Sequence, residues 1–325
     1  MEQRRIERLN RSISVIGLGT WQLGADWGEV SSATAHAVLD AAVDAGVTFF
    51  DTADVYGDGR SERFCGELAA RHPDVVVATK MGRRAPQLAA NYNREAFAAW
   101  NARSREYLGV ERIDLVQLHC PPDEVYEDDT VFDALDELAA EGHIAAYGVS
   151  VETCAQALRA IARPYVASVQ IILNCLRLKP LEQVLPAARE AGVGIIARVP
   201  LASGLLSGRY DEHTTFAPDD HRSYNRRGEA FDVGETFSGV PFDTGLAAAR
   251  ELEGLLDPGV PLAQFALRWV IDQPGVSTVI PGARNPEQVR ANAAAAALAP
   301  LSAKQLSGVA DVYDRLVREH VHPRW

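Results

Sequence analysis

Eight short apolar runs, each followed by an amphipathic segment, constrain this chain more than any other feature. The runs are Val15–Leu18, Val47–Phe50, Val75–Ala78, Ile113–Leu118, Ala145–Val149, Val166–Ile172, Val193–Val199 and Val276–Ile280. They are nearly continuous in hydrophobicity, as strands buried on both faces must be. Between them, helical spacing covers 33–45, 61–71, 94–108, 131–140, 155–161, 181–191, 246–256 with 262–272, and 286–297. Gly46, Gly109, Gly142 and Gly192 each stand where a helical segment stops and a strand begins, and each reads as a left-handed C-cap. Eight such βα units close on themselves as a (β/α)8 TIM barrel. An open dinucleotide-binding sheet would carry G-x-G-x-x-G, and Gly17-Leu18-Gly19-Thr20-Trp21-Gln22 lacks the third glycine. A length of 325 residues would allow two domains. No linker divides the chain, so residues 1–325 are expected to form one barrel domain.

Two segments break the rhythm. Residues 208–245, after the seventh strand, are polar and rich in Gly, Asp and Arg, which reads as a long functional loop. Residues 302–320 place Leu306, Val309, Val312, Tyr313, Leu316 and Val317 at helical spacing, an extra C-terminal helix packed on the barrel. Charge narrows the partners: 32 Lys+Arg against 44 Asp+Glu leave a net −12, which argues against nucleic acid. No run approaches the ~20 apolar residues of a membrane span. Cys65, Cys120, Cys154 and Cys175 form no C-x-x-C, and Met1-Glu2-Gln3-Arg4-Arg5 opens no signal peptide. A cytoplasmic protein with reduced thiols is expected. The histidines show no metal-ligand spacing, so no metal is expected.

In such a barrel the working residues follow the strands. After the second run stands Asp51-Thr52-Ala53-Asp54-Val55-Tyr56-Gly57, after the third Thr79-Lys80, and after the fourth His119. A tyrosine is a poor acid at its ordinary pKa of ~10. A neighbouring ammonium favours the tyrosinate and eases proton donation to a developing alkoxide. That ammonium needs a carboxylate partner among apolar barrel walls. A neutral histidine orients a carbonyl oxygen by hydrogen bonding. Tyr56, Lys80, Asp51 and His119 supply these four parts.

This pattern resembles the tetrad of the aldo-keto reductase superfamily, and the likeness extends over almost the whole chain. Gly17-Leu18-Gly19-Thr20-Trp21 resembles the first-strand signature. Ser150, Gln170 and Asn174, with Pro200-Leu201-Ala202-Ser203-Gly204-Leu205-Leu206-Ser207-Gly208, resemble the nicotinamide and pyrophosphate contacts. Gly282 and Arg284, with Gln288 and Asn292, resemble the adenosine-phosphate site. The resemblance implies NADPH-dependent reduction of a small-molecule aldehyde or ketone, or the reverse oxidation, with the proton from Tyr56. It assigns Gly19, Thr20 and Trp21 to the cofactor as well. The chain departs from the family where an aromatic residue often packs on the nicotinamide: Arg198 stands there, so stacking at that point falls to a guanidinium. Trp21 and Trp27 are expected to wall the substrate pocket, and the protein to be a monomer or homo-oligomer.

Two other readings remain open at this stage. In one, Lys80 attacks a ketone as a Schiff-base lyase. In the other, the chain is a reductase-like regulatory subunit that binds NADPH, as in the ion-channel-associated branch of the superfamily. The loop at 208–245 is expected to act as a lid, with Arg222, Arg226 and Arg227 drawn down by a polyanionic cofactor.

Overall fold

The computed structural model describes residues 1–24 and 30–325. Ten strands are present among the described residues: β1 (Gln3–Ile6), β2 (Arg11–Ser14), β3 (Leu18–Gly19), β4 (Phe49–Asp51), β5 (Val76–Met81), β6 (Ile113–His119), β7 (Ile144–Ser150), β8 (Val166–Ile172), β9 (Gly194–Arg198) and β10 (Val276–Val279). β3 to β10 pair in parallel in sequence order. Parallel pairings of Ile16 with Val279 and of Gly19 with Gly282 join the two edges into a ring. The eight-stranded barrel expected from the alternation is therefore present.

The helices that follow the strands are α1 (Ser32–Asp44), α2 (Arg60–Arg71), α3 (Arg94–Leu108), α4 (Asp129–Ala140), α5 (Cys154–Ile161) and α6 (Val184–Ala191). A one-turn helix, α7 (His221–Tyr224), lies in the long loop, and α8 (Phe242–Glu253), α9 (Leu262–Ile271) and α10 (Pro286–Ala294) complete the ring. Their ends obey local chemistry. Asn93 caps α3 through Ala96 N–H, and Thr153 and Gln156 form a capping box on α5. Gly46, Gly109, Gly142 and Gly192 all have positive φ, between 66° and 85°, as the sequence implied. The C-terminal helix is interrupted: α11 (Ala303–Val312) passes through a wide turn at Tyr313–Val317 into α12 (Arg318–Val321).

Sequence reading did not find the β1–β2 hairpin. It carries Ile6, Leu9 and Ile13 into the barrel's base, where they pack with Phe49, Val76, Ala78, Leu115, Ala146, Ala167, Ile196 and Ile280. This is the interior of the barrel, a packed core and not a pore. A Cβ at Gly17 would stand 2.9 Å from the Phe49 carbonyl oxygen, so the closing edge depends on a residue without one.

Candidate active site

Each of the four tetrad residues sits where a strand gives way to a loop. Asp51 ends β4, Lys80 is the fifth residue of β5, and His119 ends β6. Tyr56 stands in the turn between β4 and α2, followed by Gly57 at φ +58. A Cβ on Gly57 would lie 2.1 Å from the Gly24 carbonyl oxygen, so the turn that presents Tyr56 requires glycine.

Lys80 Nζ lies 2.5 Å from Asp51 Oδ2, 2.8 Å from the Thr52 carbonyl and 3.4 Å from the Tyr56 hydroxyl. Burial alone would push the lysine toward neutrality, but Asp51 and Tyr56 outweigh it and hold the ammonium above its ordinary pKa. The other oxygen of Asp51 accepts from Gln170 at 2.8 Å and Gln117 at 3.1 Å. His119 is edge-on to the Tyr56 ring, centroids 6.0 Å apart. Burial, then Arg83, Lys80 and Arg198, keep its imidazole neutral, well below the usual range. For Tyr56 the balance differs from the sequence expectation. Lys80 does pull its pKa down, but burial lifts it more and Asp51 and Glu235 add to the rise, so the net shift is upward. Tyr56 is thus held as a protonated phenol, ready to donate.

Trp21 stacks beside Tyr56, ring planes 20° apart and centroids 6.0 Å. It meets His221 and Phe231 of the long loop at 5.6 and 6.1 Å. Trp27 lies outside the described residues. Arg198 ends β9 with its side chain 8% exposed, bonded to Glu152 at 2.9 Å and Glu235 at 2.7 Å. Cys120, Glu152 and Glu235 bring their ligand atoms within 4.8 Å of one another, the spacing of a metal-binding group. Arg198 Nη2 sits 3.9 Å from the same thiol, so a guanidinium fills the cationic place among them. Arg83 joins this cluster, donating to Glu152 at 3.3 Å and to the His119 carbonyl at 3.2 Å.

The residues assigned to the cofactor by resemblance divide into two groups. Thr20, Gln170 and Asn174 are buried and committed to the protein. Thr20 donates to the Asp51 carbonyl, Gln170 to the Asp51 side chain, and Asn174 to the Val199 carbonyl and to Ser238. They support the floor of the site. Ser150 is buried and accepts from the Cys120 thiol at 3.4 Å. Gly19 and Gly282 pair with each other at the ring closure, near Trp21. Pro200, Leu201, Ser203, Gly204, Leu206 and Gly208 form a tight turn after β9 with positive φ at Ser203, Gly204 and Gly208. Arg284 is exposed just ahead of α10; its N–H donates to Gln288, and Asn292 donates to the Gly282 carbonyl. A cavity of about 400 Å³ bounded by Arg4, Arg189 and Gln273 lies at the barrel's opposite end and has no part in this site.

Sequence reading missed Gln117, Arg83, Glu152, Glu235 and His221. The long loop carries three short helical turns, at His221–Tyr224, Val233–Glu235 and Phe237–Gly239. Its basic cluster does not face the mouth as a group: Arg222 is engaged by Asp220 and Tyr210, and Arg226 lies over Phe237 and Phe242. The loop groups that reach the mouth include an acid, Glu235, on Arg198, and His221 and Phe231 against Trp21. No helix among the described residues is long and apolar enough to cross a membrane.

Known proteins resemble this chain over nearly its whole length. An oxidoreductase of Mycobacterium tuberculosis is 35% identical over 315 residues, covering 92% of this chain and 89% of its own. The glycerol dehydrogenase of Gluconobacter oxydans superposes with a TM-score of 0.79 at 30% identity, over 97% of this chain and 96% of that one. An aldo/keto reductase of Klebsiella pneumoniae, solved with NADP and acetate, superposes with a TM-score of 0.67 at 25% identity, over 94% and 93%. The model of the aldo/keto reductase family matches residues 15–314, and the chain belongs to that family.

Proposed function

We propose that this protein reduces an aldehyde or ketone to the alcohol with NADPH, or runs the reverse oxidation, with Tyr56 as proton donor. One observation carries the reading: Lys80 Nζ bridges Asp51 at 2.5 Å and the Tyr56 hydroxyl at 3.4 Å, beside a neutral His119. The order of action follows. A carbonyl oxygen enters between Tyr56 and His119 and accepts hydrogen bonds from both. The hydride to the carbonyl carbon would come from NADPH when it is bound. As charge grows on the oxygen, Tyr56 gives up its proton, and the Lys80 ammonium stabilises the tyrosinate left behind. Asp51, braced by Gln117 and Gln170, keeps that ammonium charged and in place.

The residues present fit such a dinucleotide. Arg284 stands exposed just ahead of α10, where a guanidinium suits a phosphate. The turn at 200–208 would take the pyrophosphate, and Ser150 and Arg198 would border the nicotinamide. The NADP bound by the Klebsiella pneumoniae relative supports the choice of cofactor. A Schiff-base role for Lys80 is disfavoured, since an ammonium on Asp51 and the Thr52 carbonyl is no nucleophile. A panel of aldehydes, ketones and sugars, followed by loss of NADPH absorbance, is the test. Turnover of at least one carbonyl is expected; NADPH binding with no turnover on any would favour the regulatory-subunit reading.

A further inference from the structure

Trp325 is 6% exposed and lies against the long loop. Its indole Nε1 donates to both carboxylate oxygens of Asp232, at 3.2 and 3.3 Å. The guanidinium of Arg177 sits 4.0 Å from its ring centroid. Arg177 is itself buried, and donates to the Glu152 carbonyl at 2.9 Å. Two loop glycines make room for this cluster. A Cβ on Gly239, whose φ is +77, would stand 2.3 Å from the indole ring, and one on Gly234 would stand 2.4 Å from the Arg177 guanidinium and 3.3 Å from the ring. Between them lies Glu235, whose carboxylate meets Arg198 in the barrel mouth. The Glu235 carbonyl accepts from Ser203 at 3.0 Å, and Ser203 accepts from Phe237 N–H at 3.1 Å. Residues 232–239 are therefore fastened from below by Arg198 and Ser203 and from the side by Trp325.

We propose that Trp325 is a positioning residue for carbonyl reduction: it holds residues 232–239 over the barrel mouth and so sets Glu235 against Arg198. This segment has only two short helical turns, at Val233–Glu235 and Phe237–Gly239. Such a stretch owes its order to a few contacts, and its opening free energy falls as they are removed. The Trp325 contacts combine ring burial, a hydrogen bond to a carboxylate and a guanidinium on the ring face. None of them touches Tyr56, Lys80, Asp51 or His119. Their loss therefore lowers the population of the closed mouth, which weakens apparent affinity, and leaves the Lys80 contacts to Asp51 and Tyr56 in place.

The inference rests on the carbonyl-reductase reading for its kinetic arm and is independent of it for its protease arm. Three variants of the full chain decide it: Trp325→Ala, Trp325→Phe and Asp232→Ala. Trp325→Ala is expected to raise KM for NADPH and for the carbonyl about tenfold, with kcat within about twofold. Tryptic cleavage after the exposed Arg226 and Arg227 should be about tenfold faster in the cofactor-free variant. Trp325→Phe keeps a ring against Arg177 and the glycines and should recover most of both effects. Asp232→Ala removes the indole's acceptor together with the cap on the Gly234 N–H, opens no core, and should speed cleavage about threefold. Wild-type cleavage rates in Trp325→Ala overturn the proposal whatever happens to activity. If Trp325→Ala does not fold, wild-type cleavage in Asp232→Ala overturns it instead. Absence of turnover in the parent protein would remove the proposed function and leave the protease arm standing.

Discussion

The same burial does opposite work on neighbouring groups of this site. It keeps His119 neutral and Tyr56 protonated, while Lys80 stays charged because Asp51 is 2.5 Å away. The division of labour predicts that Tyr56→Phe loses about 10²–10⁴-fold in kcat and keeps its NADPH dissociation constant within about twofold, read by stopped assays and cofactor fluorescence. A variant with near-parental kcat would remove Tyr56 as proton donor. Asp54 is a second consequence of burial. It is 1% exposed, and no side chain among the described residues donates to either carboxylate oxygen. Burial, then the charge of Glu62, pushes its carboxyl up to about 7, against the pull of Arg84 and Arg103. Below about pH 4 folded and unfolded chains both hold this proton, so the group is neutral to stability there. Between pH 4 and 7 only the unfolded chain ionises, and stability falls as pH rises. From the ordinary 3.8 to about 7, the penalty reaches an upper bound of about 4 kcal/mol at pH 8. Asp54→Asn should therefore raise Tm at pH 8 by several degrees and change it little at pH 4. An equal Tm shift at both pH values would show that the effect is not ionisation.

Strand ends and helix starts place the chemistry, and they also decide what a sequence discloses. The tetrad was legible because each member lies within a few residues of a strand end, and strand ends follow from apolar runs. Gln117 was in view but had no role until the fold set it beside Asp51, 66 residues away in the chain. Glu235 and Arg198 are 37 residues apart, joined through a loop whose path no periodicity encodes. Thr20 and Asn174 sit where family contacts were expected, yet their polar atoms face inward. A type of residue at a position does not reveal the direction its side chain takes. The hairpin was missed because Gln3–Ile6 has only one buried apolar residue in four and reads as a charged terminus. At α10 the expectation stands on firmer physical ground. Arg284 precedes a helix whose N-cap, Asn285, accepts from Gln288 N–H, and under the proposed function its guanidinium would meet the phosphate that distinguishes NADPH from NADH. Arg284→Ala should weaken NADPH about ten- to a hundredfold and leave NADH within about twofold. Titration with both cofactors checks this, and an equal loss for each would make Arg284 structural.

The molecule as a whole separates stability from function along the barrel axis. At one end the β1–β2 hairpin inserts Ile6, Leu9 and Ile13 against Phe49 and Ile196, with no titratable group among them. At the other end stand charged and aromatic groups at low exposure, including Lys80, Arg198, Glu235 and Trp21, a costly arrangement that only a preorganised site justifies. The β-strands connect the two ends, so the hydrophobic base offsets the cost of the buried charges at the mouth without touching them. The separation can be tested by weakening the base alone. Ile13 is fully buried, and Ile13→Ala removes three carbons from a packed interior that is poorly able to collapse around the gap. The expected cost is about 2–5 kcal/mol in urea unfolding, with the slope m unchanged. At a temperature where the variant remains folded, kcat and both KM values should stay within about twofold of the parent. Tyr56→Phe should give the reverse, lost turnover with a far smaller change in unfolding free energy. If Ile13→Ala instead lowered kcat in proportion to stability while the chain was still folded, the base and the mouth would be mechanically coupled, and the barrel would have to be treated as one cooperative functional unit.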